Sequence, residues 1–143
     1  HAATDLLAEA KLSPELRNEA LYYRAKAYTK QKADKKAMED YRELAKDTRN
    51  PYGAEAKYQV AQSLYDAKEY AAAEKELLNY IEQSTPHAYW LARSFVLLSD
   101  VYHATGKDLD ARQYLLSLQQ NYQGNDDIES MIESRLSKLK VEN

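Results

Sequence analysis

The sequence predicts an all-α chain of repeating helix pairs, and three observations carry that prediction. Only three glycines and three prolines occur in 143 residues, and Ala, Leu, Glu, Lys, Gln and Arg, all good helix formers, dominate. Each proline follows a small polar residue, in Ser13-Pro14, Asn50-Pro51 and Thr85-Pro86, with spacings of 37 and 35 positions. Such a pair marks a helix start: the side chain accepts a hydrogen bond from a first-turn amide, and proline at the first helical position loses none. Behind each start stands a ladder of small residues. Ala25, Ala61 and Ser99 are followed at twelve positions by Ala37, Ala73 and Ala111.

In chain order the elements read as follows. Residues 1–12 hold a helix, Ala2 to Lys11, with Leu6, Leu7 and Ala10 on one side, expected to be the second helix of a truncated preceding unit. His1 reads as a tag remnant, with the parent protein continuing upstream. Residues 13–49, 50–84 and 85–123 form three units. Within each, Tyr28, Leu64 or Tyr102 lies three residues beyond the first small residue, and Tyr41, Leu77 or Leu115 four beyond the second. Spacing inside the units is invariant, so length variation falls in the connections. Residues 124–143 start at Gly124-Asn125-Asp126 and form a last helix. Its Ile128, Met131, Ile132, Leu136 and Leu139 share one face, with Glu129, Glu133, Ser137 and Lys140 opposite, as a capping helix requires.

This pattern resembles the tetratricopeptide repeat. The third unit is the nearest match, with Ser99, Tyr102, Gly106, Ala111, Leu115 and Leu118 in register. The second carries Ala61, Leu64, Tyr65, Tyr70, Ala73, Leu77 and Tyr80, and the first Ala25, Tyr28, Ala37, Tyr41 and Leu44. Lys32 and Lys68 stand where the family often has its turn glycine, at a small cost if the backbone there is left-handed. The resemblance covers about nine tenths of the chain. It implies a right-handed α-solenoid of antiparallel helix pairs, about eight helices in all. The slightly long period resembles the extended repeats of bacterial envelope proteins, which favours the periplasm or envelope over the cytoplasm by analogy alone.

Composition limits the function classes. No run of eighteen apolar residues occurs, so no transmembrane segment is expected. The absence of cysteine excludes disulfides and thiolate metal sites. A net charge of −3 with both signs interspersed argues against nucleic acid. No phosphate loop, nucleophile elbow or zinc-protease motif is found. Neither enzymatic activity, cofactor nor metal is expected. Asp100 and His103 have the spacing of an acid/base pair or half a metal site, but no third group accompanies them, so they read as a surface pair three residues apart.

Tyr28, Tyr41, Tyr70, Tyr80 and Tyr102 occupy packing positions, whereas Tyr22, Tyr58 and Tyr65 do not. The resemblance implies that the first helix of each unit lines a concave face, and stepping just past the core stripe names its residues. They are Tyr22, Lys26, Thr29 and Lys30 in the first unit, Tyr58, Gln62, Tyr65 and Asp66 in the second, and Val96, Asp100, His103 and Ala104 in the third. A groove of mixed charge and modest aromaticity suits an extended peptide or a partner helix. The alternative is that these tyrosines only pad helix contacts. A chaperone-tail clamp is not expected, because of Tyr22, Lys26, Gln59, Arg93 and Leu97 at the relevant positions only Lys26 and Arg93 can meet a carboxylate. Lys30 to Lys36 reads as a solvated basic turn, with an acidic partner or anionic lipid as the competing account. Trp90 is either packed under a connection or an exposed anchor.

Two functions follow: a non-catalytic scaffold that binds a protein or peptide, or a regulatory or targeting repeat domain of a larger enzyme or envelope assembly that packs on its own chain. The ladder itself is testable. Ala73→Tyr is expected to overpack its contact and cost about 1–3 kcal/mol. An unchanged melting temperature would remove the assignment.

Overall fold

A computed structural model describes residues 13–83 and 85–139, and within them every regular element is helical. Seven helices run in order: α1 (Pro14–Lys30), α2 (Asp34–Leu44), α3 (Pro51–Asp66), α4 (Tyr70–Glu82), α5 (Ala88–Ala104), α6 (Asp108–Asn121) and α7 (Ile128–Leu136). The helix expected over Ala2 to Lys11 and the position of Lys140 lie outside the described residues. The chain divides into two compact units, residues 1–60 and 61–143, with the boundary inside α3.

The three turns between paired helices are identical in kind. Each is three residues long, over 31–33, 67–69 and 105–107. In each, one amide reaches back five residues, from Ala33 to Tyr28, Glu69 to Leu64 and Lys107 to Tyr102, at 2.7–2.9 Å. The preceding amide reaches back three, from Lys32 to Thr29, Lys68 to Tyr65 and Gly106 to His103. This is the Schellman closure, which satisfies helix-end carbonyls and needs a left-handed residue in its middle. That residue is Lys32 (φ 60°), Lys68 (φ 61°) or Gly106 (φ 78°). The recurring Tyr28, Leu64 and Tyr102 supply the carbonyls on which the turns close. The next helix follows at once: Ala37, Ala73 and Ala111 donate to the carbonyls of Ala33, Glu69 and Lys107.

Helix starts divide two to one. Ser13 Oγ accepts from the Leu16 amide at 3.2 Å and Asn50 Oδ1 from the Gly53 amide at 2.7 Å, so Pro14 and Pro51 are first helical residues. The third start differs from expectation. Thr85 Oγ1 accepts from the His87 amide, two residues on, which makes a local turn instead of a cap. Pro86 therefore precedes the helix, and α5 begins at Ala88.

In the first unit, α1 and α2 pack together across a three-residue connection, which reverses the chain. Ala25 at 0 % exposure and Ala37 leave room for Leu21, Tyr41 and Leu44 to fill the interface. An ion pair crosses the same hairpin: Arg24 donates to both Asp40 oxygens at 2.7 and 2.8 Å, with Asp40 buried. The pair raises the Arg24 pKa, chiefly through the hydrogen bond to Asp40. Gly53 is required where α3 begins. A Cβ there would overlap the Asp47 carbonyl oxygen and lie 2.7 Å from that of Leu44.

In the second unit α5 is the central helix, packed by α4, α6 and α7. Eight of its residues, from Ala92 to Tyr102, are buried around its circumference. Ala92 and Val96 meet Leu115 and Leu118 of α6 and Ile128 and Ile132 of α7, with Met131, Leu136 and Leu139 packed at the edge. Glu129, Glu133 and Ser137 face water, so α7 has the half-apolar character expected of it. Tyr80 is fully buried on α4, and burial pushes its hydroxyl up to about 12. Of the other packing tyrosines, Tyr41 and Tyr102 are buried, while Tyr28 and Tyr70 are half-buried.

The shared turn yields a paired prediction. Lys68→Gly removes a left-handed side chain and is expected to raise stability by about 1 kcal/mol, while Gly106→Ala, which meets open space, should lower it by about 1 kcal/mol through backbone strain alone. Urea unfolding measures both. Equal stability of the three proteins would refute the strain.

Candidate protein-binding surfaces

The first unit gathers a polar and aromatic cluster on α1 and the start of α3. Glu55 holds it together: Tyr22 donates its hydroxyl to Oε1 and Lys26 its ammonium to Oε2, each at 2.8 Å. The Lys26 ammonium also lies 5.1 Å from the Tyr22 ring centroid. Tyr22 packs on Tyr52 at 4.8 Å and edge-on to Tyr23 at 5.4 Å. Burial, then the Glu55 carboxylate, raises the Tyr22 hydroxyl. Lys26 is raised too: burial opposes its charge, but Glu55 outweighs burial and keeps it cationic.

Tyr22 and Lys26 are thus brought together, with Thr29 near them through the Tyr41 hydroxyl, while Lys30 stands apart. Thr29 donates to the Ala25 carbonyl on its own helix, and Lys30 is exposed. Glu55 was not among the expected residues. The signal for it was helical spacing, since Glu55, Tyr58 and Gln62 fall on one face at i, i+3 and i+7.

Two expected groove residues are core. Tyr58 is 5 % exposed and Val96 1 % exposed, so neither presents its side chain to a partner. The reason is the same for both. Helices α3 and α5 are covered on more than one face, as with Ala54, Ala56, Val60 and Ala61 around Tyr58, so a step past the core stripe lands in core again.

In the second unit Gln62 donates to Asp66 at 2.9 Å, and Tyr65 meets Tyr70 edge-on at 5.6 Å. Burial, then Asp100 and Tyr70, raises the Tyr65 hydroxyl, which places Tyr65 in the field of Asp100. Asp100 and His103 do not pair with one another. Arg135 of α7 donates to both Asp100 oxygens at 3.3 and 3.4 Å, and His103 Nδ1 lies 2.8 Å from Asp108 Oδ1. Asp100 and His103 each find a partner on an adjoining element, an interaction that spacing along one helix cannot reveal. The space between Ser99, Asp100, His103, Arg135, Lys138 and Leu139 is about 20 Å³, room for a water molecule and no substrate.

Larger clefts lie elsewhere in this unit. One of about 340 Å³ is lined by Ile128 and Ile132 together with Tyr122, Gln119, Gln123 and Asn125. Another of about 380 Å³ is lined by Phe95, Tyr114, Gln113 and Ser117. Trp90 is half-buried, edge-on to Tyr89 at 5.1 Å, so it is neither a core residue nor a bare anchor. Among the described residues no three His, Asp or Glu side chains are placed to hold a metal ion, and no helix is long and apolar enough to cross a membrane.

The Asp100–Arg135 pair has a testable asymmetry. Burial raises the Asp100 carboxyl above the ordinary aspartate range, and Arg135 only partly offsets it. Its stabilising contribution is complete below about pH 4 and is lost as pH rises through the raised value. At pH 7 the carboxylate is a net cost. Asp100→Asn is therefore expected to be at least as stable as the parent at pH 7, whereas Arg135→Leu strands the charge and costs about 1–2 kcal/mol, moderated by residual solvent contact. Thermal melts at pH 4 and pH 7 decide it, and a less stable Asp100→Asn at pH 7 would contradict the sign.

No protein-family model matches the chain, and comparison with curated proteins finds no match. The functional reading rests on its own residues.

Proposed function

We propose that the chain is a non-catalytic interaction scaffold of tetratricopeptide-like repeats, stacked as a right-handed solenoid, that holds an extended peptide or a partner helix on its first helices. The observation that carries this reading is the polar and aromatic character of α1, α3 and α5 outside their buried stripes. Tyr22, Lys26, Gln62, Tyr65, Asp100 and His103 all stay partly or fully in contact with water. Half-buried tyrosines offer apolar area with a hydroxyl at the rim, at little entropic cost on binding. Ion pairs tie Lys26 to Glu55 and Asp100 to Arg135. Side chains held in this way lose less freedom on binding, which is how modest contact area yields affinity. Tyr58 and Val96 serve this role only as support.

Photo-cross-linking tests it. A benzophenone side chain at Thr29, Gln62 or His103 is expected to capture the same discrete partner in extracts of the source cells, while Arg42 and Lys75, exposed on second helices, give no such adduct. Adducts of equal yield at the second-helix positions, or none at the first-helix positions, would overturn the proposal.

A further inference from the structure

The turn joining α1 to α2 carries Lys30, Lys32, Lys35 and Lys36 within seven residues, against the single acid Asp34. All four lysines are exposed. Two features set this turn apart from a solvated loop.

Three of the lysines sit where local physics disfavours them. Lys32 occupies the left-handed position at φ 60°, where glycine is unstrained. Lys35 and Lys36 lie in the first turn of α2, where the helix dipole favours acids over cations. Internal contacts compensate little. Lys30, Lys32 and Lys35 make no ion pair or side-chain hydrogen bond among the described residues, and Lys36 only approaches the Tyr28 ring, at 5.7 Å. Rule-breaking without an internal gain is the mark of a functional position. Lys68 shares the left-handed backbone, but Asp66 and Glu69 beside it cancel its charge.

Charge also differs between the units. Residues 13–60 carry eleven Lys and Arg against eight Asp and Glu, and residues 61–139 seven against twelve. The basic turn is thus a local feature of an acidic chain. From this we infer that the α1–α2 turn is a docking surface for a short acidic protein segment, one rich in Asp or Glu. A membrane fits less well, since residues 30–36 hold no apolar side chain larger than Ala33 and so offer nothing to insert among lipids beside the charges. The lysines act as mobile point charges that neutralise carboxylates without a fixed geometry. This surface adjoins the first-helix face at Lys30, but the variant that tests it leaves Lys30 and that face unchanged, so it stands or fails on its own.

The strain at Lys32 gives the test its edge. Binding of end-labelled octaglutamate is followed by fluorescence anisotropy at about 20 mM and about 150 mM salt. The Lys32→Gly/Lys35→Gln/Lys36→Gln variant is expected to bind about tenfold more weakly, with a flatter salt dependence. Its melting temperature should equal or exceed the parent's, because a left-handed side chain and two misplaced charges are gone. Lys75→Gln serves as control and should bind as the parent does. Parent protein that fails to bind octaglutamate at low salt, a triple variant that binds equally well, or binding only to vesicles containing about a third phosphatidylserine would each overturn the inference.

Discussion

The turn closed by a left-handed residue is the constraint on which the rest of the described structure depends. Two hydrogen bonds, five and three residues back, end one helix, and the residue after the left-handed one caps the next. That capping residue has nearly the same backbone in all three cases, with φ and ψ of −90° and 65° at Ala33, −89° and 69° at Glu69, and −111° and 59° at Lys107. None of the three caps through its side chain. The second helix is thus started by the end of the first. This is why the small residues stand twelve apart in every unit: their spacing counts through a turn of fixed hydrogen-bond pattern, with no slack to absorb an insertion.

Once that geometry is set, the hairpins differ in what fills them. In the first, a bidentate Arg24–Asp40 pair, buried on its acid side, crosses from α1 to α2. The same two positions hold Val60 and Glu76 in the second unit of the pattern, and Leu98 and Tyr114 in the third. Tyr114 there stacks on Tyr102 at 5.6 Å and meets Phe95 edge-on. One frame therefore accepts either an ion pair or an aromatic stack, because the turn and the small residues fix the spacing and the contact only has to fill it. At Arg24 the hydrogen bond to Asp40 outweighs the cost of burial, so the guanidinium stays charged in that place.

The fold was legible in the sequence wherever its cause was local. Ser13, Asn50 and Gly106 each act through residues within a few positions, and their roles follow from spacing alone. Thr85 failed for a reason of the same scale, since its hydroxyl can serve either a cap or a shorter turn and nothing in Thr-Pro chooses between them. The candidate surfaces were less legible because their cause is not local. A helical step identifies which residues share a face, and it placed Tyr22 with Lys26 correctly. It cannot say how many neighbours cover that face, so it assigns Tyr58 and Val96 to the surface although both are core. Nor can it supply partners from other helices, so Arg135 and Glu55 went unseen although each holds a carboxylate or cation in place.

That contrast bears on where function is to be sought in this chain. Residues that obey every local rule and are buried, such as Ala25, Leu77 and Tyr80, are explained by packing alone. Residues that obey local rules and touch water, such as Glu129 and Glu133 on α7, are explained by solubility. What is left is a small set that does neither. Tyr22 and Tyr65 keep aromatic surface half-open where a smaller side chain would serve the core. Lys32, Lys35 and Lys36 hold positive charge where the backbone and the dipole both argue for something else. Full burial accounts for neither group, and both lie on the surfaces proposed above for a partner.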